Sequence, residues 1–208
     1  MLEIAIFLPT AATFLTFAAA CLALNFTPGA DMMFTIASGV SGGPRAAVAA
    51  SVGINLGVVV HIILAAIGVA ALIQAEPLAY DALRYIGAAY LIWLAIQMWR
   101  SSAPDEMKSA AAPLGQVAQR GFVTNVLNPK TALFIFAFLP QFTDPARGAV
   151  WGQIVVLGMI FICTGFTVNA VVGGLAGAFT TRLRRASRIL NRVSAFVFGG
   201  LAARLILD

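Results

Sequence analysis

Charge is what this chain of 208 residues has least of: Asp, Glu, Lys and Arg make up only 10% of it, against about 25% in soluble domains. So few charges cannot cover a water-facing surface, which excludes a soluble globular domain. Histidine is scarcer still, with His61 alone, and the two cysteines, Cys21 and Cys163, lie far apart inside apolar runs. Metal sites need spaced His, Cys or carboxylate ligands, so neither a metal nor a cofactor is expected. No nucleophile–base pair, paired carboxylates or phosphate loop can be read, and the chain is not expected to be an enzyme. The cysteines read as buried apolar thiols. A net charge of +5 and a pI near 9.9 would suit a nucleic-acid binder. The basic residues, however, fall in short segments between apolar runs and form no soluble basic face, so nucleic acid is excluded as a partner.

What remains is apolar: 61% of the residues are hydrophobic and the mean hydropathy is +0.93. A helix needs ~20 residues to span ~30 Å of hydrocarbon. The length accommodates six such spans, which predicts an all-α integral membrane protein of six transmembrane helices in a single domain over residues 1–208. One half covers about residues 1–100, a polar cytoplasmic linker about 101–119, and the second half about 120–208. The N-terminal apolar run with Ala18-Ala19-Ala20 resembles a signal peptide, but Glu3 stands where a basic segment would be, so an uncleaved first span is expected.

Span 1, from about Phe7 to Val40, is too long for one straight crossing. It is broken at Asn25-Phe26-Thr27-Pro28-Gly29-Ala30-Asp31, where Pro28 and Gly29 end one helix and permit another. Thr27 is expected to cap the second piece, with Pro28 at its first position and Asp31 in its first turn. After a short turn at Gly42-Gly43-Pro44-Arg45, span 2 (about 46–73) carries His61, and its Gly53 and Gly57 admit a close neighbour. Span 3 is expected at about 83–99, with Trp93, Trp99 and Arg100 suited to a headgroup layer. Span 4 is interrupted at Asn125-Val126-Leu127-Asn128-Pro129-Lys130, because Pro129 lacks an N–H and clashes with the turn before it. Open backbone at membrane depth survives only inside protein or along a wet cavity. A lysine there costs ~3 kcal/mol even on a lenient scale. Spans 5 (about 151–179) and 6 (about 193–207) are expected on either side of the basic run 180–192.

One set of loops collects nine basic residues, from Arg45 to the arginines at 182–192, and the other three, beside Glu3, Glu76, Asp81, Asp144 and Asp208. The positive-inside rule then places the first set in the cytoplasm and both termini outside. Three spans, a linker and three more make the halves enter from opposite faces, each opening with a proline-broken span. Paired broken helices in inverted halves are the best sequence pointer to a transporter's substrate site.

The candidate substrate-binding residues are therefore Asn25, Thr27, Pro28, Gly29, Asn125, Asn128, Pro129 and Lys130. The asparagines suit an amino or carboxylate group, or equally the backbone groups freed by the prolines. Lys130 suits a carboxylate or a pairing with Asp31. Asp31 and His61 are the candidate proton-coupling groups, since intramembrane acids and histidines mark proton relays.

Several segments together carry a resemblance. Thr27-Pro28-Gly29-Ala30-Asp31, Gly42-Gly43-Pro44-Arg45, Ala88-Ala89-Tyr90-Leu91, Arg120 through Asn128-Pro129-Lys130, and Leu139-Pro140-Gln141-Phe142-Thr143-Asp144-Pro145 resemble the LysE/RhtB family of bacterial amino-acid exporters. The resemblance covers nearly the whole chain in order. It implies two inverted three-helix halves in the bacterial inner membrane and proton-coupled amino-acid efflux, with Pro28, Gly29, Asp31, Asn128, Pro129 and Lys130 on its motifs. Two departures stand out. Ala30 replaces the second proline of a Pro-Gly-Pro pattern, and Ala47 and Ala195 replace glycines, which predicts wider helix contacts there.

The expected function is export of amino acids or their analogues by proton antiport with alternating access. The expected partners are a small-molecule amino acid, protons and the lipid bilayer, with room for a homo-oligomer. The alternatives are a thiol–disulfide electron relay through Cys21 and Cys163, or a metal-ion exporter of the same superfamily.

Overall fold

A computed structural model describes residues 7–75, 77–100 and 112–207, and the described chain is helical with no strand. Helix α1 is Ala11–Phe26, opened by Thr10, whose hydroxyl accepts the Thr13 N–H. Helix α2 is Ala30–Ala75, kinked at Gly43, whose φ of 73° is open to glycine and strained for other residues. Pro44 directly after it reinforces the kink, so the expected turn at 42–45 is a bend between two helical pieces.

Helix α3 is Pro77–Arg100, α4 is Leu114–Val126, and α5 is the short Pro129–Leu133. The chain then widens into a π-helical turn at Phe134–Phe138 and tightens into 3₁₀ turns at Leu139–Phe142 and Pro145–Arg147. Helix α6 is Val150–Leu207.

Three boundaries differ from the sequence reading. Helix α3 begins at Pro77 rather than near residue 83, because proline suits a first helical position. Helix α4 begins at Leu114, inside the expected linker, immediately after Pro113. The linker's residues 101–111, like Glu3, Glu76 and Asp208, lie outside the described residues. Finally, helical backbone runs through 180–192, where a turn is expected. No glycine or proline stands between residues 178 and 198 to break it. A straight helix of 58 residues would measure about 87 Å, nearly three hydrocarbon thicknesses. Yet Phe198 and Ala202 from its far end share one buried cluster with Ile154 and Leu157 from its near end.

Among the described residues two helical stretches, Ala30–Gly68 and Val150–Ala176, are long and apolar enough to cross a membrane, and the pair Leu114–Val126 and Pro129–Phe142, bent by 53°, makes a third. Exposed Leu56, Ile63 and Ile67 form a stripe on α2 that suits lipid. Arg192 stacks over Trp99 at 5.7 Å, and Phe196 meets the same ring edge-on at 5.8 Å, at the C-terminal end of α3.

Helix α2 packs chiefly on α4 and α6. The neighbour admitted by Gly53 is α4: a Cβ there would lie 1.9 Å from the Ala118 carbonyl oxygen. The contact at Ala47 is close rather than wide. Ala47 is fully buried, and Gly39 and Gly173 opposite it supply the space, since a Cβ on Gly39 would meet the Gly173 carbonyl at 1.9 Å.

Candidate functional site

Each proline break frees backbone groups that other atoms must satisfy. In an unbroken helix the Asn125 carbonyl would accept the N–H four residues on, but that residue is Pro129. Two donors replace it: the Asn128 N–H at 2.9 Å and His61 Nε2 at 3.2 Å, reaching across from α2. A carbonyl only accepts, so this contact assigns the imidazole proton to Nε2. His61 Nδ1 is buried and without a partner, and in the neutral ring it is an acceptor. Beyond the break Asn128 caps α5, its Oδ1 accepting the Lys130 N–H at 3.0 Å, and Pro129 takes the first helical position.

The first break is built differently. Thr27 does not cap the helix that follows. Its Oγ1 donates back to the Ala23 carbonyl at 2.6 Å, and its N–H to Ala23 and Leu24, so it closes α1. Helix α2 begins only at Ala30, with the Gly29 carbonyl accepting from Met33, and Pro28 lies in the gap rather than at a first helical position. Asp31 falls in the first turn, where the helix dipole favours an anion.

The two breaks meet. Asp31 Oδ2 accepts from Asn125 Nδ2 at 2.8 Å and from Thr131 Oγ1 at 3.2 Å. Asp31 Oδ1 and Asn125 Oδ1 are buried and have no partner. From the other side Lys130 Nζ donates to the Thr27 carbonyl at 2.7 Å. Its close partner is thus a carbonyl freed by the first break, while the Asp31 charge acts on it only through space. A Cβ on Gly29 would stand 3.3 Å from that amine, so glycine leaves it room to approach. Gly57 does the same for Asn125, whose Oδ1 would lie 2.7 Å from an added Cβ.

Thr27, Gly29, Asp31, His61, Asn125 and Lys130 therefore share one junction, which Asn128 and Pro129 shape. Asn25 stands apart, donating to Thr164 of α6 at 3.2 Å. Sequence reasoning missed Thr131 and Thr164. For Thr131 the available signal was a hydroxyl directly after Lys130 in the turn that follows a helix break. Gln141 turns back to the Ala137 carbonyl at 3.3 Å. Both cysteines are free, Cys21 buried and Cys163 exposed. Among the described residues no group of three or more His, Cys, Asp and Glu side chains could hold a metal.

Chemically, the junction offers a buried carboxylate oxygen lacking a donor and an ammonium that spends one of its three N–H groups on Thr27. Such a pair complements a small solute carrying both an ammonium and a carboxylate.

The family model of the LysE type translocator matches residues 22–208. An uncharacterized membrane protein of Vibrio cholerae is 38% identical over 150 residues, 71% of each chain. A homoserine/homoserine lactone efflux protein of Salmonella typhimurium is 30% identical over 179 residues, 84% of this chain and 86% of that one. A leucine efflux protein of Enterobacter sp. is 30% identical over 199 residues, 92% of this chain and 94% of that one. No solved structure matches the chain.

Proposed function

This chain belongs to the LysE type translocator family, membrane transporters rather than enzymes, and from that premise we propose that it exports neutral amino acids from bacteria by proton antiport. The relatives named for homoserine and leucine efflux support a substrate with an uncharged side chain. The observation that carries the reading is the junction of the two breaks: Asp31 with one oxygen fixed and the other buried and free, beside Lys130. Lys130 takes the substrate carboxylate, and Asp31 Oδ1 takes its ammonium.

Antiport follows from competition. Asp31 Oδ1 holds either a proton or an N–H of the substrate, never both, so the two move in opposite directions. His61 Nδ1, a buried acceptor two contacts away through Asn125, is the second resting place for the proton. One charge moved through 100 mV is worth about 2.3 kcal/mol, roughly a fifty-fold gradient. One proton per neutral amino acid is therefore enough to drive export.

Architecturally, the reading takes the chain as one domain of six crossings in two inverted halves, with α6 folding back within 180–192. Alternating access occurs about the two breaks, in the bacterial inner membrane. The basic loops face the cytoplasm and both termini the periplasm.

The test is transport by purified protein in proteoliposomes under an imposed pH gradient, with radiolabelled leucine and homoserine. Wild type should move one of them in proportion to the gradient, and Asp31→Asn should lose the pH drive. Gradient-driven flux that survives Asp31→Asn unchanged would overturn the assignment.

A further inference from the structure

At the end of the molecule where α1 and α6 begin, a cavity of about 100 Å³ opens away from the junction of the breaks. Phe7, Phe142 and Leu157 form its apolar side, and Asp144 and Arg147 stand on its rim. The rim is held by its own framework. Buried Gln153 accepts the Asp144 N–H at 2.9 Å and donates to the Asp144 and Gly148 carbonyls at 2.8 and 3.2 Å. Asp144 Oδ1 accepts the Ala146 N–H at 2.9 Å, which sets the carboxylate, and Arg147 Nη2 donates to the Leu8 carbonyl at 2.8 Å, which sets the guanidinium.

Each charged group keeps capacity in reserve: a second carboxylate oxygen on Asp144, and further guanidinium N–H groups on Arg147. The two threonines of the lining, Thr10 and Thr13, bond to each other at 2.8 Å, and the Thr10 hydroxyl also accepts the Thr13 N–H at 3.1 Å, so the pair is tied to α1 with one hydroxyl hydrogen left over. The cavity thus presents one carboxylate, one guanidinium and an apolar wall.

We propose that this cavity is a second subsite for an amino-acid zwitterion with a small apolar side chain, the one the substrate occupies after leaving the junction. Arg147 receives the carboxylate, Asp144 the ammonium, and Phe7, Phe142 and Leu157 the side chain. The way between the two sites is marked by rings. Phe134, one turn beyond Lys130, meets Phe138 at 4.9 Å, and Phe138 meets Phe142, on the cavity wall, at 4.9 Å. Phe134 and Phe138 are almost wholly buried, so the sites are separated by a dry aromatic column. The apolar wall of Phe7, Phe142 and Leu157 favours leucine over homoserine, whose polar side chain gains less from leaving water for that surface.

The inference rests on the amino-acid-export reading, and the test separates the two. Equilibrium binding of radiolabelled leucine to the full-length protein in lipid nanodiscs should saturate at two per chain in wild type. It should saturate at one in the Asp144→Asn, Arg147→Gln double variant, and also at one in Asp31→Asn. Because Arg147→Gln also releases Leu8, Asp144→Asn alone serves as the second variant. Its side-chain oxygen still accepts from Ala146, and leucine binding at the second site should weaken about tenfold, the loss of one charge-assisted contact. Saturation at one leucine in wild type, unchanged by either rim variant, overturns the subsite and leaves the proposed function standing. Absence of both leucine and homoserine binding overturns both.

Discussion

Gly57→Ala adds a single methyl group that touches neither charge of the junction, and the account makes it costly to transport. The added Cβ would lie 2.7 Å from Asn125 Oδ1 and 2.8 Å from Asn125 Cβ. The second distance decides the matter, because Cβ is fixed to the backbone and cannot swing aside as a side-chain tip can. In terms of folding, alanine gains about 1 kcal/mol over glycine inside a helix. Overpacking a tight contact costs about 1–3 kcal/mol. The net loss of stability is therefore about 0–2 kcal/mol, small enough to leave a folded protein. The functional cost arises where displaced Asn125 loses its bond to Asp31 Oδ2, now 2.8 Å long. A hydrogen bond to a charged group is worth ~1.5–3 kcal/mol in soluble proteins, but polar pairs between membrane helices average ~0.6 and reach ~1.7 kcal/mol. The membrane scale applies at this site, so the apparent affinity for substrate should fall about three- to twenty-fold. Counterflow of leucine or homoserine in proteoliposomes at subsaturating concentration measures it, with a melting curve on the same preparation. Gly68→Ala on the same helix is the control, since a Cβ there meets nothing within 4 Å. A Gly57→Ala protein that transports as well as wild type and Gly68→Ala would refute the reasoning.

Other perturbations should separate neatly. His61→Gln keeps a donor for the Asn125 carbonyl but removes the titratable ring, so counterflow should persist while stimulation by a pH gradient drops. Unchanged stimulation would leave His61 as a backbone donor alone. Lys130→Gln should raise KM for the amino acid by about tenfold or more through loss of the charged donor, and an unaltered KM would remove Lys130 from the site. Gln153→Ala takes away three hydrogen bonds to the Asp144–Gly148 turn and should lower stability by about 1–3 kcal/mol, read as a drop in Tm. Replacing Cys21 and Cys163 together by serine or alanine should leave transport intact. Its loss would revive the thiol-relay alternative.

The two helix breaks were legible in the sequence because proline announces itself: no neighbour can restore the N–H missing at Pro28 or Pro129. Asp31 and Lys130 were legible for a related reason, being charges in apolar surroundings that lipid would not tolerate. What could not be read is which partner each freed group finds. The Thr27 hydroxyl turning back to Ala23, and the Asn125 carbonyl receiving His61, depend on where helices from different parts of the chain cross. Thr131 escaped notice because one hydroxyl among apolar residues carries little signal without its neighbour in space. The π-helical turn at Phe134–Phe138 is as apolar as any helix, and only its place before Pro140 hints that the ladder must change pitch. The run at 180–192 is legible only in part. Its charge pattern marks a place where the chain can reverse, but arginine is a sound helix former, so helical backbone continues through a stretch where an open turn is expected.

The central claim is that a proton and the substrate's ammonium compete for one oxygen of Asp31, and equilibrium binding as a function of pH tests it without any transport assay. Leucine or homoserine should bind wild-type protein more weakly as the solution is acidified, approaching a tenfold loss for each pH unit, as expected when one bound proton excludes the ligand. On the Asp144→Asn, Arg147→Gln background, which leaves only the junction, Asp31→Asn should bind weakly and show no such slope. A wild-type affinity independent of pH, or a slope that persists when Asp31→Asn is added to that background, would contradict the account.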